Sequence, residues 1–341
     1  MQKQTFRLTA IAAAVTAAAS LAAPPAGAQF YQGKTVTVVV GYTAGGGADV
    51  FGRLLARHLG DHLAGKPTVI VQNMPGAGGF KAVNNVYNTD PQDGTRIVMT
   101  SSSHPTAPKM GNKGARWDFF KFRWLGNMTR DIAGCVASGR SGIRSIEDAK
   151  NREIIFGASG KNAPSAQQPR AMGAVLGYKT KVIAGYKGTA GARLAMEKGE
   201  IDATCAFWAS LLLGPQKDDL ASGKLVPIVQ LSLKGHPVFG SAPKVYDLAR
   251  SEEDRKALHF IYGATEISRP FAAPPRTPEA RVAELRAAFW ATVNSPALKA
   301  DAGRQKLILD PMDWKETEAA FREFLDVPQN IVDRAKQVLG Q

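Results

Sequence analysis

The sequence predicts an α/β protein of two lobes in series, followed by a helical segment. Three observations predict it. Short β-branched runs alternate with amphipathic helical stripes, the pattern of parallel strands joined by right-handed helical crossovers. The alternation covers three strands, lapses, and restarts near Gly134. The chain has 341 residues, 44% of them hydrophobic, which suffices for two cores at about 100–200 residues per domain. The same composition excludes a disordered tail, a collagen-like repeat and a disulfide-held miniprotein.

Residues 1–28 read as a secretory signal peptide. Lys3 and Arg7 form a positive start, Leu8 to Ala23 is Ala-rich and apolar, and Ala26-Gly27-Ala28 offers a cleavage site before Gln29. The apolar run is shorter than the ~20 residues a membrane anchor needs. Export to an oxidising space leaves Cys135 and Cys205 open to one disulfide or to two buried thiols.

From there the elements follow in order. Thr35–Val40 is a strand, Gly41–Gly47 a loop, and Phe51, Leu55, Leu59 and Leu63 form the stripe of a helix. Thr68–Gln72 is the second strand and Asn73–Gly79 a second loop, before a helix carrying Phe80, Val83 and Tyr87. Arg96–Thr100 is a third strand, ending in three serines. After the restart, strands fall at Cys135–Ser138, Glu153–Phe156, Lys181–Ala184, Asp202–Phe207 and Leu225–Leu231. Helices carry Met172, Val175 and Leu176, and then Ala190–Lys198. Ser145 and Asp148 are spaced as a capping box. A late helix opens at Thr277-Pro278 and buries Val282, Leu285, Phe289 and Val293. The expected division is 29–128 plus 233–341 for lobe one and 129–232 for lobe two, with the helices after Thr277 packed on lobe one.

Two glycine loops carry the chemistry. Tyr42-Thr43-Ala44-Gly45-Gly46-Gly47 and Pro75-Gly76-Ala77-Gly78-Gly79 each follow a strand and open a helix. A helix N-terminus has unpaired N–H groups and a partial positive charge, so it suits an anion, and glycine lets the backbone approach a ligand. Neighbouring parallel strands would place both loops at the carboxyl edge of the sheet, where open α/β sheets bind ligands. Val50 stands where a dinucleotide fingerprint needs glycine, and no Lys-Ser/Thr pair follows Gly46, so neither nucleotide motif is present. His58 and His62 lack the glutamate of a zinc protease, and no metal-type Cys/His spacing occurs; neither metal nor cofactor is expected. The formal charge of +14 is spread along the chain without interleaved aromatics, so nucleic acid is not an expected partner.

These loops resemble those of the substrate receptors of tripartite tricarboxylate transporters, the Bug receptors. Tyr-Thr-Ala-Gly-Gly followed by Asp49, Pro-Gly-Ala-Gly-Gly, Pro91-Gln92-Asp93-Gly94-Thr95, Gly157-Ala158-Ser159-Gly160, Tyr186-Lys187-Gly188, Gly199-Glu200-Ile201-Asp202 and Phe271-Ala272-Ala273-Pro274 occur in that family's order. The resemblance departs at Gly41-Tyr42, where the family usually has Pro-Phe, and at Gln72-Asn73-Met74, where it usually has Glu-Asn-Arg. It implies a periplasmic-binding-protein fold of the Venus-flytrap type, each lobe a mainly parallel sheet flanked by helices. It further implies a monomeric receptor that holds a small organic carboxylate between its lobes and passes it to membrane transporter subunits. Carried over, the ligand positions are Tyr42, Thr43, Ala44, Gly45, Gly46, Pro75, Gly76, Ala77 and Gly78, with Asp49 supporting the first loop, Ser103 after the third strand, and Ser159, Tyr186 and Lys187 on the second lobe. Arg170, with Gln168 and Lys161 near it, could fork a distal carboxylate, and Trp208 or Phe207 could stack on a ring. Two other readings stay open: a secreted hydrolase built on Ser103 and His104, and a receptor that presents its ligand to a sensor kinase.

Overall fold

The computed structural model describes residues 30–340, so the expected signal peptide lies outside the described residues. The chain runs β1 (Thr35–Val40), α1 (Gly47–Leu59), β2 (Thr68–Asn73), α2 (Phe80–Asn88), β3 (Arg96–Met99), α3 (Thr106–Lys109) and β4 (Arg123–Asn127). It continues with β5 (Ala133–Ser138), β6 (Ile154–Ala158), α4 (Pro164–Leu176), β7 (Thr180–Ala184), α5 (Gly188–Lys198) and β8 (Ala203–Trp208). Then come α6 (Ala209–Leu213), α7 (Lys217–Ala221), β9 (Leu225–Gln230), α8 (Glu252–Tyr262) and β10 (Pro270–Ala273). The last elements are α9 (Glu279–Asn294), α10 (Pro296–Arg304), β11 (Met312–Asp313), α11 (Trp314–Leu325) and α12 (Gln329–Leu339).

These strands form two sheets, ordered β11-β4-β10-β3-β1-β2 and β7-β6-β8-β5-β9. β1 pairs in parallel with β2 and β3, Val38 lying opposite both Val71 and Ile97. All but the first residue of β1 are buried, which is why a nearly unbroken valine run serves there. β6 pairs in parallel with β7 and β8. The sheets are mixed, however, rather than mainly parallel. β10 runs antiparallel to β3 and β4, and β5 antiparallel to β8 and β9. The cause is connectivity: the chain leaves the first sheet after β4 and returns as β10, so the outgoing and returning segments run in opposite directions. They bind each other where they cross. Met128 N–H donates to the Arg269 carbonyl, and the Ser268 hydroxyl donates to the Thr129 carbonyl.

The return falls later than the expected Ser232. After β9 the chain stays beside the second sheet: Lys244 bridges to Gln230, and α8 packs on α4. Residues 237–248 make only short 3-10 turns, which carry no hydrophobic period to read. The C-terminal helices also divide. α9 and α11 pack on β4, and α10 on α1, but α12 packs on α8 and α4 beside the second sheet. The Ser145–Asp148 capping box forms, on a 3-10 turn over Ile146–Lys150. Cys135 and Cys205 are joined as a disulfide across the neighbouring strands β5 and β8.

Candidate functional site

One cavity is lined from both sheets. α1, α4 and α5 all begin at it, through Gly46 and Gly47, Pro164 and Ser165, and Gly188 and Thr189. None of the three helices has a side-chain cap, although Pro164 carries no N–H and the Gly188 N–H donates to the Tyr186 carbonyl, so α1 presents the fullest set of free N–H groups. Three positive helix ends on one concave surface favour an anion. Hydroxyls surround them: Ser101 and Ser102 after β3, Ser159, and Thr204 on β8. Met99, Ala192 and Trp208 supply apolar wall. The cavity holds about 80 Å³, on the measure by which one buried water needs roughly 10–15 Å³. That is room for a small organic molecule.

Of the residues singled out from sequence, Tyr42, Gly46, Ser159 and Trp208 line this cavity. Asp49 lies behind the first loop, accepting from the Gly45 N–H, Arg53 Nε and Asn73 Nδ2, which also donates to the Tyr42 carbonyl. Asn73 thus ties the two glycine loops together. Burial pushes the Asp49 carboxyl up, but its donors outweigh that and hold it below the usual range. Thr43, Ala44 and Gly45 are on the same loop but do not line the cavity.

The second loop is placed differently from the expectation. Pro75, Gly76 and Ala77 are exposed. Gly78 packs against the loop between β6 and α4, where an added Cβ would lie 2.5 Å from Ala163 N and 2.8 Å from Asn162 C. Tyr42 Oη donates to the Gly78 carbonyl at 2.9 Å. This loop is a contact between the two sheets' loops rather than a wall of the cavity. Arg170 is no cavity fork either: its Nη1 donates to the Lys161 carbonyl. Gln168 accepts from the Ala206 N–H. Tyr186 packs under Gly157, and Lys187 is exposed just before α5, so the lining falls on the next residues, Gly188 and Thr189.

Ser103 and His104 are buried and outside the cavity. His104 Nδ1 accepts from the Ser101 N–H and Nε2 donates to the Gly78 carbonyl at 3.2 Å, so both ring nitrogens are held in place. Burial lowers its pKa from 6.5 to about 4. The unfolded chain therefore takes up this proton near pH 6.5 and the folded one only near 4. The stability due to neutral His104 is full above pH 6.5 and is lost as pH falls toward 4. Between pH 7 and 5 the loss should reach about 2 kcal/mol. Buried Asp131, with its pKa raised by burial, opposes this trend. Urea midpoints of the parent and His104→Gln at both pH values isolate it; the variant should lose less on acidification, and parallel losses would contradict the assignment.

Sequence reading missed Arg269, which lines the cavity at the strand crossing and is 3% exposed. Burial lowers its pKa to about 10, still a cation at neutral pH. The signal available was a charge immediately before the apolar run Pro270–Ala273. Thr100, Ser101 and Ser102 line the cavity as well, and nothing in the run of three serines distinguishes them from Ser103, which does not. Ala206, also on the cavity, has a positive φ of 54°, a backbone strain of the kind found at functional sites.

Two helix-flanked mixed sheets with a cavity between them are the architecture of a periplasmic binding protein. The profile described as tripartite tricarboxylate transporter family receptor matches residues 51–314, and the chain belongs to that family. That family is one of substrate-binding receptors, not of enzymes. The chain is 32% identical to the Cupriavidus necator protein named UPF0065 protein in gbd 5'region, over 47% of this chain and 50% of that one. It spans about half the length, or less, of the curated relatives it matches. Its fold is similar to that of the periplasmic binding protein BugD, at TM-score 0.67 and 23% identity over 91% of this chain and 97% of that one. It is similar also to MatC from Rhodopseudomonas palustris with bound malate, at TM-score 0.69 and 19% identity over 90% and 99%. Among the described residues no helix is long and apolar enough to cross a membrane.

Proposed function

We propose that this protein is a periplasmic receptor that captures a small organic carboxylate in the cavity between its sheets and delivers it to a tripartite tricarboxylate-type transporter. The convergence of α1, α4 and α5 on one cavity carries the reading. Uncapped helix ends on both sides let one anion bridge the two lobes, and bridging favours a closed arrangement over an open one. The lobes are those built on the two sheets, hinged where β4 leaves and β10 returns. The malate held by a protein of similar fold agrees with an acid ligand.

The hydrolase reading loses its support, since His104 spends both ring nitrogens on backbone groups. A thermal-shift screen of the chain from Gln29 against acetate, lactate, malate, adipate and benzoate tests the proposal. At least one acid should raise the melting temperature saturably. No shift by any of them would overturn it.

A further inference from the structure

The guanidinium of Arg269 is enclosed on almost every side. Its carbon stands 4.3 Å from the centroid of the Trp208 ring and 4.9 Å from that of Phe51. Nη1 donates to the Ser268 carbonyl at 2.6 Å. Among the described residues, nothing accepts from the remaining two nitrogens, Nε and Nη2, though both are buried. Those two nitrogens share one edge, the parallel pair of N–H donors that matches the two oxygens of a carboxylate. The buried acid whose charge attracts Arg269, Asp131, makes no hydrogen bond to it: that carboxylate accepts from the Ser210 hydroxyl and from the N–H groups of Ile132 and Ser210. A buried cation with an unused fork is costly unless an anion meets it.

The free edge also points to a place. A Cβ on Gly47 would lie 3.4 Å from Nη2, so the fork stands beside the first residue of α1. Gly47 and Ala48 at that helix end and Arg269 line the same cavity.

Resting on the receptor reading above, we propose that Arg269 grips the ligand's carboxylate side-on through Nε and Nη2, at the N-terminus of α1. The anchored end of the ligand is then held by this arginine and α1, away from the Pro75–Gly78 loop. The rest of the ligand extends toward Ser159, Ser165 and Thr189 on the second sheet's side. The ligand class is a small acid with at least one sterically free, planar carboxylate, and a hydroxyl- or carbonyl-bearing body satisfies the far hydroxyls.

The test is calorimetry of the five acids above on the wild type, Arg269→Met and Arg269→Lys. Methionine keeps the apolar packing between the rings without charge; lysine keeps the charge without the fork. The best wild-type acid should bind about 100-fold or more weaker to Arg269→Met. Arg269→Lys should recover part of that loss, with circular dichroism unchanged in both. Wild-type affinity in both folded variants would overturn the arginine's role and leave the receptor reading standing. Failure of all five acids on the wild type would overturn both. Should the variants not fold, a crystal structure of the wild type with its best acid decides: carboxylate oxygens within about 3 Å of Nε and Nη2 support the proposal, and a carboxylate seated elsewhere overturns it.

Discussion

Gly46→Val should fold like the parent and lose acid binding. Gly46 has φ −83° and ψ 166°, extended values that any residue adopts. An added Cβ would sit 3.7 Å from the Thr43 carbonyl oxygen and 3.8 Å from Thr189 Oγ1, both ordinary contacts. As the residue preceding α1, valine is a poorer cap than glycine, at about 1 kcal/mol. The methyl groups of valine, however, enter the gap between α1 and α5, where a bridging ligand must pass. Loss of about 100-fold in affinity, about 2.7 kcal/mol, is expected, with the melting temperature lowered only slightly. Undiminished affinity would move the anchor away from α1.

Gly78→Val should also abolish binding, for a different reason and with a different signature. At φ 71° a β-branched residue is strained, by about 1–3 kcal/mol. Its Cβ would strike the backbone of Asn162 and Ala163 across the gap, and neither atom is the movable end of a side chain. The variant can relieve that clash only by parting the two loops. It should therefore scatter X-rays as a more extended particle than the parent, melt lower, and bind acid at least about 100-fold more weakly. A compact Gly78→Val protein with parental affinity would show that the loop contact is not needed for capture.

What the sequence revealed and what it hid have physical causes. β1 was legible because five of its six residues are buried, which leaves an unbroken β-branched run. β4 was not: Arg123-Trp124-Leu125-Gly126-Asn127 has no period, and its Gly126 takes φ 146° at a place where an added Cβ would also strike Phe289. The first glycine loop could be placed because strand, loop and helix follow one another locally. The second loop has the same local order, yet it packs against Asn162 and Ala163, more than eighty residues away, which no local pattern specifies. Arg269 was hidden for the same reason. Its surroundings, Phe51, Trp208 and Gly47, come together only when the returning strand β10 enters the first sheet beside β3. Arg170, conspicuous as a charge on a helix, spends itself on the Lys161 carbonyl.

The central claim is that an anionic carboxylate, and not merely an organic molecule of the right size, is recognised between the sheets. Titration calorimetry of the wild type with the best acid from the screen, beside the primary amide of the same molecule, tests it most directly. The amide has nearly the same shape and carries no charge for the helix ends or Arg269 to favour. Saturable one-site binding of the acid, with the amide weaker by about 100-fold or more, is the expected result. Equal affinities for acid and amide would contradict the account.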